Sequence, residues 1–301
     1  MTPLRIGTRG SHLALWQARA VATALENMGA CAEIVTISTR GDRRQDVPLE
    51  ALGGKGVFVK EIHEALLGGD IDLAVHSAKD MAAVSPHGLT IAATLKREDP
   101  RDALVLPIAA HEMPPYEHAR IGTGSPRRIA QLRRLFPGAT FDPIRGNVDT
   151  RLRKLDSGDV DVLVLACAGL KRLGFAQRIS TPLDPSKCVP APGQGIVAVE
   201  ARRDDARTIE ILNAIDHAPS HAVLAAEQAV VAELGGGCQL PLGAYAEIKG
   251  SVLSIRAVVA SPDGSEVIEA EASGASTDPV ESGTRLARQL ASRGARELLK
   301  L

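Results

Sequence analysis

Apolar positions along the front of the chain follow two alternating periods. Leu4 to Thr8 forms a short apolar run of the kind buried in a sheet, and Leu13, Trp16, Ala20, Ala24 and Leu25 then recur at the spacing of one helix face. The same plan returns later. Arg5-Ile6-Gly7-Thr8 leads into Gly10-Ser11 and a helix, while Arg120-Ile121-Gly122-Thr123 leads into Gly124-Ser125 and a helix expected to begin near Pro126. A second pair of segments repeats as well, GDIDLAV at 69–75 and GDVDVLV at 158–164. Two units of alternating strand and helix predict two α/β lobes with mainly parallel sheets and a cleft beyond the carboxyl ends of their strands.

The units differ in length. Arg5 stands 64 positions before Gly69, but Arg120 only 38 before Gly158, so the first unit carries 26 extra residues. Most of this excess is located at Thr39 to Gly56, a charged, glycine-rich stretch of 18 residues without sustained period, which reads as a mobile lid.

Two crossings between the lobes are expected, at Lys96 to Arg101 and at Pro190 to Ile196, because Ile196 to Glu200 has the pattern of a strand returning to the first sheet. After Asn213 the texture changes. A helix from Ser220 to Leu234 ends at three glycines. Strand patterns follow at Leu242 to Ile248, Val252 to Val259 and Val267 to Ala272, and a final helix spans Pro279 to Leu299. The expected division is 1–97 with 196–214 for the first lobe, 98–195 for the second, and 215–301 for a small C-terminal α+β domain.

At 301 residues the chain exceeds the size of one growing core, and 45% hydrophobic content suffices to fill several. The formal net charge of −1 gives no global attraction to nucleic acid or membrane, and 2% aromatics leave few rings for stacking bases. No apolar stretch is long enough to span a bilayer, and Met1 to Gly7 shows no signal or transit pattern, so a cytoplasmic protein is expected. Cysteines at 31, 167, 188 and 238 form no metal-ligand spacing, so no metal is expected.

Charge is local instead. Arg120 to Arg178 holds 12 Lys or Arg against five Asp or Glu. Arg133, Arg134, Arg153 and Lys154 fit solvated helix faces, whereas Arg9, Arg127, Arg128 and Arg145 fall where strands turn into helices. There a helix N-terminus and a forked guanidinium together suit carboxylate or phosphate. The run Ile71 to Val75 ends in His76-Ser77-Ala78-Lys79-Asp80, which puts polar groups at a sheet edge. Ser77 and Asp80 also have the spacing of a helix capping box, and His76 is equally readable as a core histidine. Three glycines ahead of Cys238 give a loop on which its thiol can be approached closely, although Cys238 is equally readable as a buried cysteine, a reading that suits Cys167 better.

In this order and spacing, RIGTRGSHLALWQ (5–17), GGKGVFVKE (53–61), AVHSAKD (74–80), IGTGSPRR (121–128), RGNVDTR (145–151), AGLKRLG (168–174), PAPGQG (190–195) and GGGCQLPLGAYA (235–246) resemble the porphobilinogen deaminases over essentially the whole chain. The resemblance implies two periplasmic-binding-protein-like lobes and a monomeric, cytosolic enzyme that condenses four porphobilinogen molecules, with release of ammonia, into hydroxymethylbilane. It implies a dipyrromethane cofactor on Cys238, held also by Lys79, Ser125, Arg127 and Arg128. It further implies Asp80 as the catalytic carboxylate, and Arg9, Ser11, Thr123, Arg145, Arg151 and Arg172 as contacts for acetate and propionate groups. His12, Ala78, Met81-Ala82, Gly124, Pro126 and Gly237 depart from the commonest family pattern. The competing expectation is a non-catalytic bilobal receptor for a small anion, which would explain the paired lobes and turn arginines but not the glycine-framed cysteine.

Overall fold

The computed structural model describes residues 2–39, 41, 59–110, 118–235, 240–261 and 263–299. Nearly all of the expected lid, and the cysteine at 238, lie outside the described residues.

The front of the chain builds two sheets of the same plan. The first uses β1 (Leu4–Thr8), β2 (Ala32–Thr36), β3 (Leu73–Ser77) and β4 (Leu89–Thr94); the second uses β5 (Asp102–Val105), β6 (Arg120–Gly122), β7 (Thr140–Asp142), β8 (Val162–Ala166) and β9 (Thr181–Pro182). With β10 (Val197–Arg202), the first sheet is ordered β2-β1-β3-β10-β4, and the second is ordered β7-β6-β8-β5-β9. Position by position they correspond. The three leading strands of each run parallel, and the fourth runs antiparallel to both neighbours.

Those fourth strands explain the two crossings. β5 carries the chain into the second lobe, and β10 brings it back, as the pattern at 196–200 leads one to expect. Four of the five strands in each sheet therefore run the same way, as expected for mainly parallel sheets, and only the crossing strand, β10 or β5, runs against them. The crossings lie side by side: Leu95 N donates to Val197 O at 3.0 Å and Glu98 N to Gly195 O at 3.0 Å. Gly195 takes φ +86°, and a Cβ there would meet the Glu98 carbonyl oxygen at 2.3 Å, so only glycine permits this contact.

Helices cover the sheets. In the first lobe α1 (His12–Asn27) buries Ala18, Val21, Ala22 and Leu25 against Ile6, Leu73 and Val75, and α2 (Lys60–Gly68) buries Ile62 and Leu66. The strands β3 and β8 are apolar almost throughout, as expected where both faces are covered. In the second lobe α3 (Pro126–Leu135), α4 (Val148–Asp156) and α5 (Cys167–Arg172) play the same part, and Cys167 is buried as expected.

After α6 (Ala206–Asn213), α7 (Ala218–Leu234) packs with α8 (Pro279–Ala291) on an antiparallel sheet of β11 (Leu242–Lys249), β12 (Val252–Ala260) and β13 (Val267–Ala275). The single final helix expected over 279–299 is divided. Gly294 adopts φ +94°, which stops the run after Ser292, and a short α9 (Ala295–Leu298) follows. The core beneath these helices extends into the first lobe, taking in Ala78, Met81, Ile196 and Ala198. The residues either side of Lys79 and Asp80 are thus anchored in the C-terminal core. No described helix is long and apolar enough to cross a membrane.

Candidate active site

The ends of β1, β3 and β8 and the N-termini of α1 and α4 face one another across a cleft of about 660 Å³ between the lobes. Eight residues singled out from the sequence line it: Arg9, Ser11, Lys79, Asp80, Arg128, Arg145, Arg151 and Arg172. Six of these are cations, and among the described lining residues only Asp80 and Asp149 are acidic. A smaller hollow of about 490 Å³ between Pro100, Asp184, Tyr245 and Arg256 contains none of the expected groups.

Each residue is placed by local structure. Ser11 caps α1, its hydroxyl accepting from Ala14 N. Lys79 and Asp80 occupy a single 3-10 turn after β3, and this corrects the capping-box reading. No α-helix begins there, no side chain caps the turn, and Ser77 Oγ instead accepts from Gln17 Nε2 at 2.7 Å. Asp80 is exposed to the cleft.

Burial pushes the Lys79 ammonium down to about 8; Asp80 opposes that effect and Arg128 adds to it. Burial likewise lowers Arg151 to about 10, reinforced by Arg128 and Arg145, while its Nε donates to the Gly146 carbonyl at 2.8 Å. Arg172 donates to the Gly195 carbonyl at 2.7 Å and lies 5.4 Å over the Trp16 ring, and burial lowers it to about 10. Its Nε is buried with no hydrogen-bond partner among the described residues. Positive charge is therefore concentrated and incompletely paid for by protein anions, an environment complementary to a polycarboxylate.

Three expected contacts lie behind the wall rather than on it. Thr123 is buried and its Oγ1 accepts from Ser125 N, and Ser125 caps α3. Arg127 turns inward, placing Nη1 2.8 Å from Asp102 Oδ2 and 2.6 Å from the Val189 carbonyl oxygen. The reason is Asp102, a fully buried carboxylate that sequence reasoning missed. It also accepts from Arg128 and from Gln194 Nε2, the latter at 3.0 Å. Burial would raise the Asp102 carboxyl, but Arg127 and Arg128 outweigh burial and hold it below the usual carboxylate range. The available signal was an acid opening an otherwise apolar strand, DALV, since a buried charge requires a partner.

Residues 4–210 match the porphobilinogen deaminase domain that binds the dipyrromethane cofactor, and residues 222–292 match the C-terminal domain of the same family. A porphobilinogen deaminase of Acidithiobacillus ferrooxidans is 47% identical over 299 residues, covering 99% of this chain and 97% of the relative. One from Trichlorobacter lovleyi is 46% identical over 300 residues, covering 99% and 96%. Among solved structures, a double mutant of the VFT2 domain of BvgS from Bordetella pertussis aligns with a TM-score of 0.42 at 17% identity, covering 70% of this chain and 85% of that one. With both domains matched in order and nearly half of all positions identical along the whole length, the chain belongs to the porphobilinogen deaminase family.

Proposed function

We propose that this chain is a hydroxymethylbilane synthase, a transferase that condenses four porphobilinogen molecules with release of ammonia, and that its catalytic residue is Asp80. The observation that carries this reading is a carboxylate exposed within a cleft whose other charged groups are mostly cations. A receptor for small anions gains nothing from a carboxylate at that point. An enzyme that must bind carboxylates and also stabilise a cation needs both signs of charge.

The residues present fit a dipyrromethane, which carries four carboxylates. Lys79, Arg151 and Arg172 are desolvated cations, and the idle Arg172 Nε offers a donor. Lys79 and Arg128 would hold the cofactor from the walls, with Cys238 as its covalent attachment; Ser125 and Arg127 would support that wall from behind. When bound, the cofactor supplies the pyrrole carbon at which the chain begins. Arg9, Ser11, Arg145, Arg151 and Arg172 would receive the acetate and propionate groups of porphobilinogen, with Thr123 shaping the second turn.

On this reading, ammonia leaves the aminomethyl group of the substrate and an azafulvene cation remains, which Asp80 stabilises through the pyrrole N–H. At ~4 Å and an effective dielectric near 20, such a pair contributes about 4 kcal/mol, roughly a thousandfold in rate. We also propose a cytoplasmic monomer, as the resemblance implies, and no nucleic-acid partner, since Arg128, Arg145, Arg151 and Arg172 line the cleft. The domain limits proposed are 1–97 with 196–214, 98–195 and 215–301.

Intact mass together with ammonia release tests the assignment. The purified protein should carry two additional pyrrole units and release ammonia from porphobilinogen. Cys238→Ser should lose the added mass, while Cys31→Ser and Cys167→Ser keep it. Added mass on a peptide lacking Cys238 would overturn the attachment, and absence of ammonia release would overturn the activity.

A further inference from the structure

Away from the cleft, three polar side chains distant in sequence meet inside the first lobe. His63 comes from α2, His76 from β3 and Glu200 from β10. Both imidazole Nε2 atoms approach Glu200 Oε2, at 2.8 Å from His63 and 3.2 Å from His76, and the three donor atoms all lie within 4.8 Å of one another. The rings stand edge to face with centroids 5.7 Å apart. The other carboxylate oxygen accepts from Ser85 Oγ at 3.0 Å.

Burial makes this grouping demanding. Glu200 is fully buried and His76 is 5% exposed, while the His63 side chain is 12% exposed and forms the one edge open to solvent within the cluster. Although His76 Nε2 stands close to the carboxylate, it makes no hydrogen bond in the described structure. With the carboxylate hydrogen-bonded by His63 and Ser85, the nearby His76 ring nitrogen lacks hydrogen-bond geometry toward it in an apolar interior, which is costly for a polar atom. A cation coordinated between the three would satisfy every one of them.

We propose that His63, His76 and Glu200 form a binding site for one divalent transition-metal ion of the zinc type, separate from the reaction cleft. Two imidazoles and a carboxylate match zinc and its neighbours, whereas magnesium and calcium prefer all-oxygen ligands. Metal–ligand bonds of about 2.0–2.1 Å in a tetrahedral arrangement separate neighbouring donors by about 3.3 Å, so the two histidine–carboxylate spacings of 2.8 and 3.2 Å need to open by at most about half an ångström, while the two imidazoles, within 4.8 Å of each other, would have to settle around the ion. Three protein ligands leave a fourth position for water, and the exposed edge of His63 provides entry. The ion would clamp α2 to β3 and β10. Since β3 continues directly into Lys79 and Asp80, it would brace the strand from which the proposed reacting groups emerge.

The site was not visible as a spacing pattern because its ligands are 13 and 124 residues apart and come together only through the returning strand. Its test does not depend on the activity proposed above. Cofactor-loaded protein is freed of metal with a chelator and titrated with Co²⁺ and Zn²⁺ by calorimetry and visible absorption. One equivalent should bind, Co²⁺ should give the intense bands of a tetrahedral site, Zn²⁺ should displace it, and Zn²⁺ should raise the melting temperature. His63→Gln should weaken binding at least about a hundredfold. Undiminished binding in that variant, or no stoichiometric binding to the wild type, would overturn the proposal and leave a hydrogen-bonded cluster. Should the variant not fold, the wild-type cobalt spectrum decides, because weak octahedral bands would mean adventitious surface binding.

Discussion

Arg128 donates from both Nε and Nη2 to the same oxygen of Asp102, at 3.0 and 2.7 Å, and neither side chain is more than 8% exposed. Arg127 takes the other oxygen at 2.8 Å, so one carboxylate pairs with two buried guanidinium groups, leaves one net positive charge, and orients the arginine that lines the cleft. Asp102→Asn keeps the shape but leaves two buried cations without an anion, and should destabilise the fold by about 3–5 kcal/mol. Urea denaturation measures this, and a loss below about 1 kcal/mol would show that Asp102 is not the anchor. Arg127→Leu should cost less, because Asp102 keeps Arg128 and Gln194.

The duplicated lobes were legible because strand–glycine turns are local: the same five residue types precede α1 and α3, and each helix is capped by a serine, Ser11 or Ser125. The returning strand β10 was legible from its apolar run. Asp102 was not, since its role depends on Arg127 and Arg128, 25 and 26 positions away, and on Gln194 from the second crossing. The same limit explains Ser77 and Asp80. Their spacing satisfies a local capping rule, but Ala78 and Met81 are drawn into the C-terminal core, and the turn ends after three residues. Arg127 and Arg128 are adjacent and alike in sequence, and only packing turns one inward and the other toward the cleft.

Lys79 gives a pH dependence with a definite sign. Its ammonium is lowered from 10.5 to about 8 by burial, so the free enzyme loses this cation as pH rises through about 8. If the charge receives a carboxylate, kcat/KM should fall across that range, since this ratio reports ionisations of the free enzyme. Lys79→Arg, whose guanidinium stays charged, should displace the alkaline limb upward. An identical limb in the variant would assign it to another group. Stability moves the opposite way: between about 8 and 10.5 the unfolded chain holds the proton that the folded one has released, so this group's contribution rises with pH. The penalty for burying the charge is complete below about 8, and thermal melting of the two proteins across this window checks the sign.

Asp80 separates structure from chemistry most cleanly. It is exposed in the cleft, its three-residue turn has no side-chain cap, and Ala78 and Met81 anchor the backbone on either side. Asp80→Asn should therefore leave stability within about 0.5 kcal/mol of the wild type, as for a surface substitution away from a structural network. The same change removes the negative charge while keeping size and a hydrogen-bond acceptor. The loss falls on the step in which positive charge develops as ammonia departs, whereas the arginines that receive the substrate's carboxylates are untouched. Turnover should drop at least about a hundredfold with little change in porphobilinogen binding. Protein already carrying its cofactor should be used, so that a defect in assembly is not read as one in catalysis. Single-turnover ammonia release beside thermal melting makes the comparison, and near-normal release from a folded, loaded Asp80→Asn protein would remove the carboxylate from the chemistry.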